Sequence, residues 1–562
     1  MCGIAGVLDA EGSAEPLIAA LAHRGPDGVR VEAAPGRSLA HARLSIIDLE
    51  GGWQPLHAAG STVVGNGEIY NYLELAAEFG LEGRLATGSD FEPLLHLYAQ
   101  EGPAAFARLR GMYAFCLVGG DGRTWLVRDP FGIKPLYVAR HAGGIAFASE
   151  PRALLTAGVV TPALSEPQAR ELLGLNYTLG EATVFQGVCR LAPGAVVEVR
   201  GGEVIEHERR LPLSAPVGKS GGAEKELIAR LDAVLEESVR VHQRSDVPYG
   251  LFLSGGIDSA AVATLMARLN ARPVTAFTCG FTAPGARDER AQAEAVAKAL
   301  GLDWRETSFD EADFWRLAPQ AAWALDDPTA DYAILPTLKL AEAAKGTLTV
   351  VLTGEGGDEL FGGYGRYRRA LRPAWLGGRP AEPRPGDPQV LARWREAARP
   401  PPGLTVLQQA QWADVAAWLP ADLLTKLDRC LMAHGLEGRT PFLDPEVATF
   451  AFGLPDRFKV RGRYGKWLLR AWLARTCPAA APWARKQGFT VPVEAWIAPR
   501  AADIGARVAK VEAVRRLRSP EAVRAAFAAG RGWPLLFFAL WALIHLQGAE
   551  PQAALAEVTG TR

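Results

Sequence analysis

The sequence has little of what would tie it to a membrane, a disulfide framework or a nucleic acid. Its six cysteines (Cys2, Cys116, Cys189, Cys279, Cys430 and Cys477) show neither paired nor CxxC spacing and join no Cys/His cluster of zinc type, so a reducing compartment fits best. Charge of neither sign dominates: 61 Lys and Arg stand against 62 Asp and Glu, a formal net charge of −1, with no long basic run. That balance argues against a nucleic-acid or anionic-membrane surface and points to small-molecule partners. The longest apolar run, Pro534 to Leu546, is shorter than the ~20 residues that span a bilayer and is expected to be a buried C-terminal helix. No charged-then-apolar leader precedes Cys2, and a cytoplasmic protein is expected. The 60 glycines and 39 prolines stay below low-complexity levels, while 562 residues exceed one typical domain.

What is present begins at the second residue. Removal of Met1 would leave Cys2 with a thiol and a free α-amine, a nucleophile carrying its own base. Alone, Cys2 reads as a chance cysteine at a chain end. It is followed by HRGPD (His23 to Asp27), RLSIID (Arg43 to Asp48), NGEIYN (Asn66 to Asn71) and TGSD (Thr87 to Asp90). This set resembles the class II glutamine amidotransferase domain, an N-terminal-nucleophile hydrolase of four αββα layers. The resemblance implies that Cys2 attacks the side-chain amide of glutamine and frees ammonia. It implies that Asn66 and the Gly67 amide form the oxyanion hole. It also implies glutamine contacts from Arg43, Leu44, Ile46, Ile47, Asn66, Gly67, Glu68 and Asp90. Arg43 suits the α-carboxylate, as a bidentate cation, and Asp90 the α-ammonium.

Through about residue 205 the chain alternates short β-rich segments and turns, among them Thr124 to Arg128, Gly144 to Ala148 and Ala195 to Val199. From about 206 to 222 it turns polar and reads as a linker, and a helical pattern from Glu224 to about His242 opens a second domain. Strands at Tyr249 to Leu253, Val274 to Phe281 and Leu348 to Leu352, alternating with helices after Ser259 and from about Glu289 to Leu300, predict a Rossmann-like parallel sheet with added helices. The expected fold class is thus mixed α/β and α+β, with domains at 1–207 and 222–548.

Beyond the first strand of that sheet stands Ser254-Gly255-Gly256-Ile257-Asp258-Ser259. Small residues let backbone amides approach closely, and a helix N-terminus favours anions, so the turn suits phosphate. It resembles the pyrophosphate loop of ATP pyrophosphatases, not the Walker type, since GK[ST] is absent. That predicts AMP as product. A second acidic turn, Thr353 to Glu359, follows the strand ending at Leu352, and Asp258 and Asp358 are candidate Mg2+ ligands.

A glutaminase followed by this loop resembles the glutamine-hydrolysing asparagine synthetases of class B type over nearly the whole chain. Further matching stretches are RDPFGIKPLY (Arg128 to Tyr137), KLDR (Lys426 to Arg429), GRTPFLD (Gly438 to Asp444) and GKWLLR (Gly465 to Arg470). The resemblance implies substrates glutamine, aspartate and ATP, with aspartate adenylated and then attacked by ammonia that passes between the sites inside the protein. Nucleotide contacts are implied for Phe252, Ser254, Gly255, Gly256, Asp258, Ser259, Cys279, Thr353 and Gly354, with Lys466 and Glu355 flanking the reacting centre. The reading allows a homodimer. Two departures bear on the acceptor: Asp327 stands where glutamate is usual in the segment Asp326 to Pro336, and Tyr332 where the better-studied branch carries arginine. Another carboxylate, on a peptide, sugar or secondary metabolite, is the alternative acceptor. The Pro- and Arg-rich stretch from Arg372 to Pro402 is expected as a surface loop.

Overall fold

The computed structural model describes residues 2–213, 221–282, 288–485 and 491–560. The first part is built on β1 (Gly3–Leu8), β2 (Gly28–Ala34), β3 (Arg37–Arg43), β4 (Leu56–Ala58), β5 (Ser61–Ile69), β6 (Gly111–Val118), β7 (Thr124–Arg128), β8 (Tyr137–His141), β9 (Gly144–Ala148), β10 (Cys189–Arg190), β11 (Ala195–Arg200) and β12 (Glu203–Arg209). These pair antiparallel in two six-stranded sheets, ordered β10-β8-β9-β1-β3-β2 and β12-β11-β7-β6-β5-β4. Side chains alternate across a strand, so β1 sends Ile4 and Leu8 to one face and Ala5 and Val7 to the other. Ile4 and Leu8 meet Val64, Cys116 and Leu126 of the second sheet. Ala5 and Val7 pack under Leu17, Ile18 and Leu154 of the covering helices. The far face of the second sheet is covered by Phe91, Leu94 and Tyr98, which lie on Phe115 and Trp125. The layers run helix, sheet, sheet, helix. Because β1 is buried on both faces, it is apolar throughout instead of alternating with polar residues. Within the first sheet, Gly6 leaves room for the ring of Phe147 on the neighbouring strand β9, which a Cβ at residue 6 would strike.

The second part carries a five-stranded parallel sheet of β13 (Tyr249–Phe252), β14 (Thr275–Phe281), β15 (Asp303–Phe309), β16 (Val350–Leu352) and β17 (Glu437–Arg439), ordered β15-β14-β13-β16-β17. Chain order reverses between β13 and β16, and ligands of such sheets sit at that switch, beyond the carboxyl ends of the strands. The helix Trp533–Gln547 is buried nearly all round, as its sequence predicts, and its Trp541 indole donates to the Asp326 carbonyl at 3.0 Å. Among the described residues no helix is long and apolar enough to cross a membrane.

Two expectations need correction. The polar stretch from 206 is not linker throughout, because β12 continues to Arg209, paired with β11. The remainder of that stretch, 214–220, lies outside the described residues. Nor is 372–402 loop throughout. Pro388–Ala397 is a helix, capped by the Asp387 carboxylate on the Gln389 amide at 2.9 Å, with Val390 and Trp394 buried. Pro388 opens that helix instead of breaking it, since a first-turn proline loses no intrahelical hydrogen bond.

The two parts meet through buried charge. Arg24 Nη1 lies 2.7 Å from Glu150 and 2.8 Å from Asp428, while Arg429 Nε lies 2.9 Å from Asp326. Asp327 accepts from the Tyr137 hydroxyl at 2.7 Å and pairs with Arg190 at 2.6 Å. Removing one member of such a network strands its partners without water. Arg24→Met should therefore cost about 3–5 kcal/mol of unfolding free energy. Denaturant titration would check this, and a loss below about 1 kcal/mol would show that the network contributes little.

Candidate active sites

At the sheet's switch point lies a cavity of about 640 Å³. Its floor is the turn after β13. The helix Ile257–Leu269 starts within that turn, earlier than its sequence predicts, and holds Asp258 and Ser259 in its first turn. The Ser259 hydroxyl lies 3.1 Å from the carbonyls of Ser254 and Gly256, and Ser254 Oγ accepts from the Gly256 amide at 3.1 Å, so the turn is braced by its own side chains. Gly354 crosses so close that a Cβ there would press on Asp258 and the Ser259 amide. All the residues expected around a nucleotide line this one cavity: Phe252, Ser254, Gly255, Gly256, Asp258, Ser259, Cys279, Thr353 and Gly354, joined by Glu355, Asp358 and Lys466.

Lys466 bridges two aspartates. Its ammonium pairs with Asp258 and, at 2.6 Å, with Asp358. It sits at φ 56°, a left-handed conformation uncommon for a residue with a side chain, at the N-cap of Trp467–Thr476. Strain of this kind persists where the surroundings enforce it, and it clusters at functional positions. Gly363 packs against both Asp358 and Lys466. Burial pushes the Glu355 carboxyl above its ordinary range, opposed by Lys426.

The second site surrounds Cys2. Its backbone nitrogen donates to Asn66 Oδ1 at 3.1 Å, and its thiol lies 3.8 Å from the Leu44 carbonyl. Burial pushes the thiol pKa up. Asn66 is fully buried on β5, and its Nδ2 has no hydrogen-bond partner among the described residues. A small cavity beside Cys2 is lined by Arg43, Leu44, Ile46, Ile47, Gly67, Glu68 and Asp90. Arg43 donates to the carbonyls of Asp48 and Leu49 over the Trp53 ring, and burial lowers its pKa. Asp90 accepts from the Ile69 amide at 2.7 Å, yet burial pushes its pKa up to about 7. Glu68 lines this cavity and also reaches the second part. Its carboxylate faces Arg439 of the second part at 3.2 Å, and Arg439 also binds Glu437 at 2.5 Å and lies over the Tyr70 ring.

The residues lining these cavities that were not expected there include His41, Lys426 and Arg470. His41 borders the Cys2 cavity with both ring nitrogens unpartnered among the described residues, and burial drives its pKa to about 3. Lys426 and Arg470 border the large cavity. Both lie in quoted motifs, KLDR and GKWLLR, which signalled them without a role. The segment from Asp326 to Pro336 divides: Asp326 and Asp327 turn to the interface, whereas Asp331 pairs with Lys426 at 2.9 Å.

Residues 1–209 match the family model of the glutamine amidotransferase domain, and residues 230–547 match that of asparagine synthase. The chain is 34% identical, over 94% of each sequence, to a Mycobacterium bovis protein provisionally named a glutamine-hydrolysing asparagine synthetase. It is 31% identical, over 88% of each, to glutamine-hydrolysing asparagine synthetase 1 of Bacillus subtilis. Glutamine-hydrolysing asparagine synthetase B of Escherichia coli is 29% identical, over 87% of this chain and 82% of that one.

A methyl group at residue 363 would overlap Asp358 and the Lys466 side chain. Gly363→Ala should accordingly lower nucleotide-dependent pyrophosphate release at least about 10-fold while leaving the Cys2 site untouched. Parallel pyrophosphate and glutamate assays would test this, and equal losses in both would refute the local clash.

Proposed function

From the premise that the chain belongs to the asparagine synthase family and carries a glutamine amidotransferase domain, we propose that it converts L-aspartate to L-asparagine, with ATP and glutamine consumed and AMP, pyrophosphate and glutamate released. Residues 1–207 perform the glutaminase half and residues 222–548 the synthetase half. The observation that supports this most directly is that one chain folds both a terminal Cys2 beside a buried, half-satisfied Asn66 and a strand-SGGxDS-helix cavity crossed by Lys466.

In the first half, loss of Met1 frees the Cys2 amine to take the thiol proton as Sγ attacks the glutamine amide carbon. Asn66 Nδ2 and the Gly67 amide receive the developing oxyanion. Arg43 and Asp90 hold the α-carboxylate and α-ammonium. Collapse of the intermediate passes the proton from the Cys2 amine to the leaving nitrogen and leaves a thioester that water hydrolyses to glutamate. The freed ammonia passes through the shared apolar core, in which Leu44, Ile46, Met112 and Ile133 pack in one cluster with Leu352 and Leu443. A dry path keeps ammonia neutral and nucleophilic, because desolvation disfavours ammonium.

In the second half, the β-carboxylate of aspartate attacks the α-phosphorus and displaces pyrophosphate. Lys466 offsets the charge gathering there. Ammonia attacks the acyl-adenylate, expels AMP and sheds a proton that Glu355 can take, a carboxylate whose proton affinity burial raises. Among the described residues no group of three or more carboxylates, histidines or cysteines forms a metal cage. The hard oxygens of Asp258 and Asp358 fit Mg2+ of the kind that takes its other ligands from phosphates and water, and such an ion supplies charge neutralisation when bound.

Cys2→Ala should abolish asparagine formation from glutamine yet leave formation from ammonium at raised pH within about 2-fold of wild type, with AMP as nucleotide product. ADP in place of AMP would sink the ATP-pyrophosphatase reading, and glutaminase activity surviving in the variant would sink the nucleophile. A second outcome concerns pH. The α-ammonium binds the charged form of Asp90, so the KM for glutamine should fall as pH rises through about 7, and Asp90→Asn should flatten that dependence. Glutaminase kinetics at several pH values would decide it.

A further inference from the structure

An amino-acid acceptor brings three charges into the large cavity: the carboxylate that reacts, a second carboxylate and an ammonium. The last two stay charged throughout the reaction, and each needs an opposite charge where water is excluded. Both must come from residues at the cavity wall, and residue 332, a tyrosine, offers no cation.

The cations lining the cavity differ in availability. Lys466 is held between Asp258 and Asp358 at the phosphate turn. Arg470 donates to the carbonyls of Gly465 and Pro482. Arg485 stands exposed at the rim. Lys426 is different: it is buried, lies on the cavity wall, and among the described residues has a single side-chain partner, Asp331 Oδ2 at 2.9 Å. Glu355 lies near enough to help keep it charged against the cost of burial. Asp331 in turn accepts from the Ala333 amide at 3.0 Å, which fixes the carboxylate. Asp422 behind them is occupied by Thr329 and by the Trp418 indole at 2.6 Å. Lys426 lies in the first turn of the helix Leu424–Met432, which continues a π-helical stretch, Asp414–Leu423, a distortion frequent at functional sites.

We propose that Lys426 is the specificity-determining cation that receives the α-carboxylate of the acceptor amino acid, with Asp331 beside it receiving the α-ammonium. This rests on the aspartate reading. The acceptor inserts its own two charges into the Lys426–Asp331 pair, so one ion pair becomes two and no charge is left buried alone. An acceptor without an α-carboxylate leaves Lys426 without its second partner.

β-Alanine, which is aspartate lacking only the α-carboxylate, tests this on the full-length enzyme, with pyrophosphate release measured under saturating ammonium. Wild type should prefer aspartate over β-alanine on the order of 100-fold in kcat/KM. Lys426→Met should lose that preference by losing aspartate alone, and Lys426→Arg should restore most of it. Unchanged glutamine hydrolysis at Cys2 certifies the fold of each variant. A wild-type enzyme indifferent to the α-carboxylate, or a Lys426→Met preference equal to wild type's, overturns the assignment of Lys426. No pyrophosphate release from wild type with aspartate instead overturns the acceptor reading, and the assignment with it.

Discussion

The ion network of Arg24, Glu150, Asp428, Arg429 and Asp326 is the contact on which the arrangement of this chain depends. All five side chains are buried, and charges out of water are tolerated only when each finds its partner. Glu150 and Arg24 come from the antiparallel half, the other three from the half with the parallel sheet. One relative placement of the halves satisfies every member, and a displacement of even a few ångströms would strand several at once. The helix Leu424–Met432 belongs to both sides of this arrangement, since it carries Asp428 and Arg429 into the network and Lys426 onto the cavity wall. The position of that wall is tied to the interface.

A second tie runs beside Cys2. Arg439, at the end of β17, reaches Glu68 and Glu437 and donates to the carbonyls of His242 and Arg244. The parallel sheet thereby places Arg439 against Glu68, a residue that lines the Cys2 cavity. The two halves are thus held together by buried charge at two separate contacts.

The large cavity shows how backbone and side chains share the work. Gly354 and Gly363 allow approaches that a methyl group would block, and Lys466 is held left-handed so that its ammonium lands between two carboxylates. None of these groups is positioned by its own segment. Asp258 comes from the turn after β13, Asp358 from the turn after β16, and Lys466 from the N-cap of a later helix.

Much was legible from sequence because it depends on local chemistry. Small residues at a strand-to-helix turn marked Ser254 to Ser259, alternating segments marked a parallel sheet, and an unbroken apolar run marked the buried helix Trp533–Gln547. The errors also have local causes: a polar edge strand, β12, resembles a linker, and a proline at a helix start resembles a break. What sequence could not supply was which charges meet. Asp327 and Tyr332 read as one acceptor segment, but a backbone turn sends Asp326 and Asp327 to the interface and leaves Asp331 for Lys426, 95 residues away along the chain. Motif spacing determines which residues stand near a strand end. Partners chosen across such separations are decided only by packing, because the pairing of a buried charge is a property of the assembled interior and of no single segment.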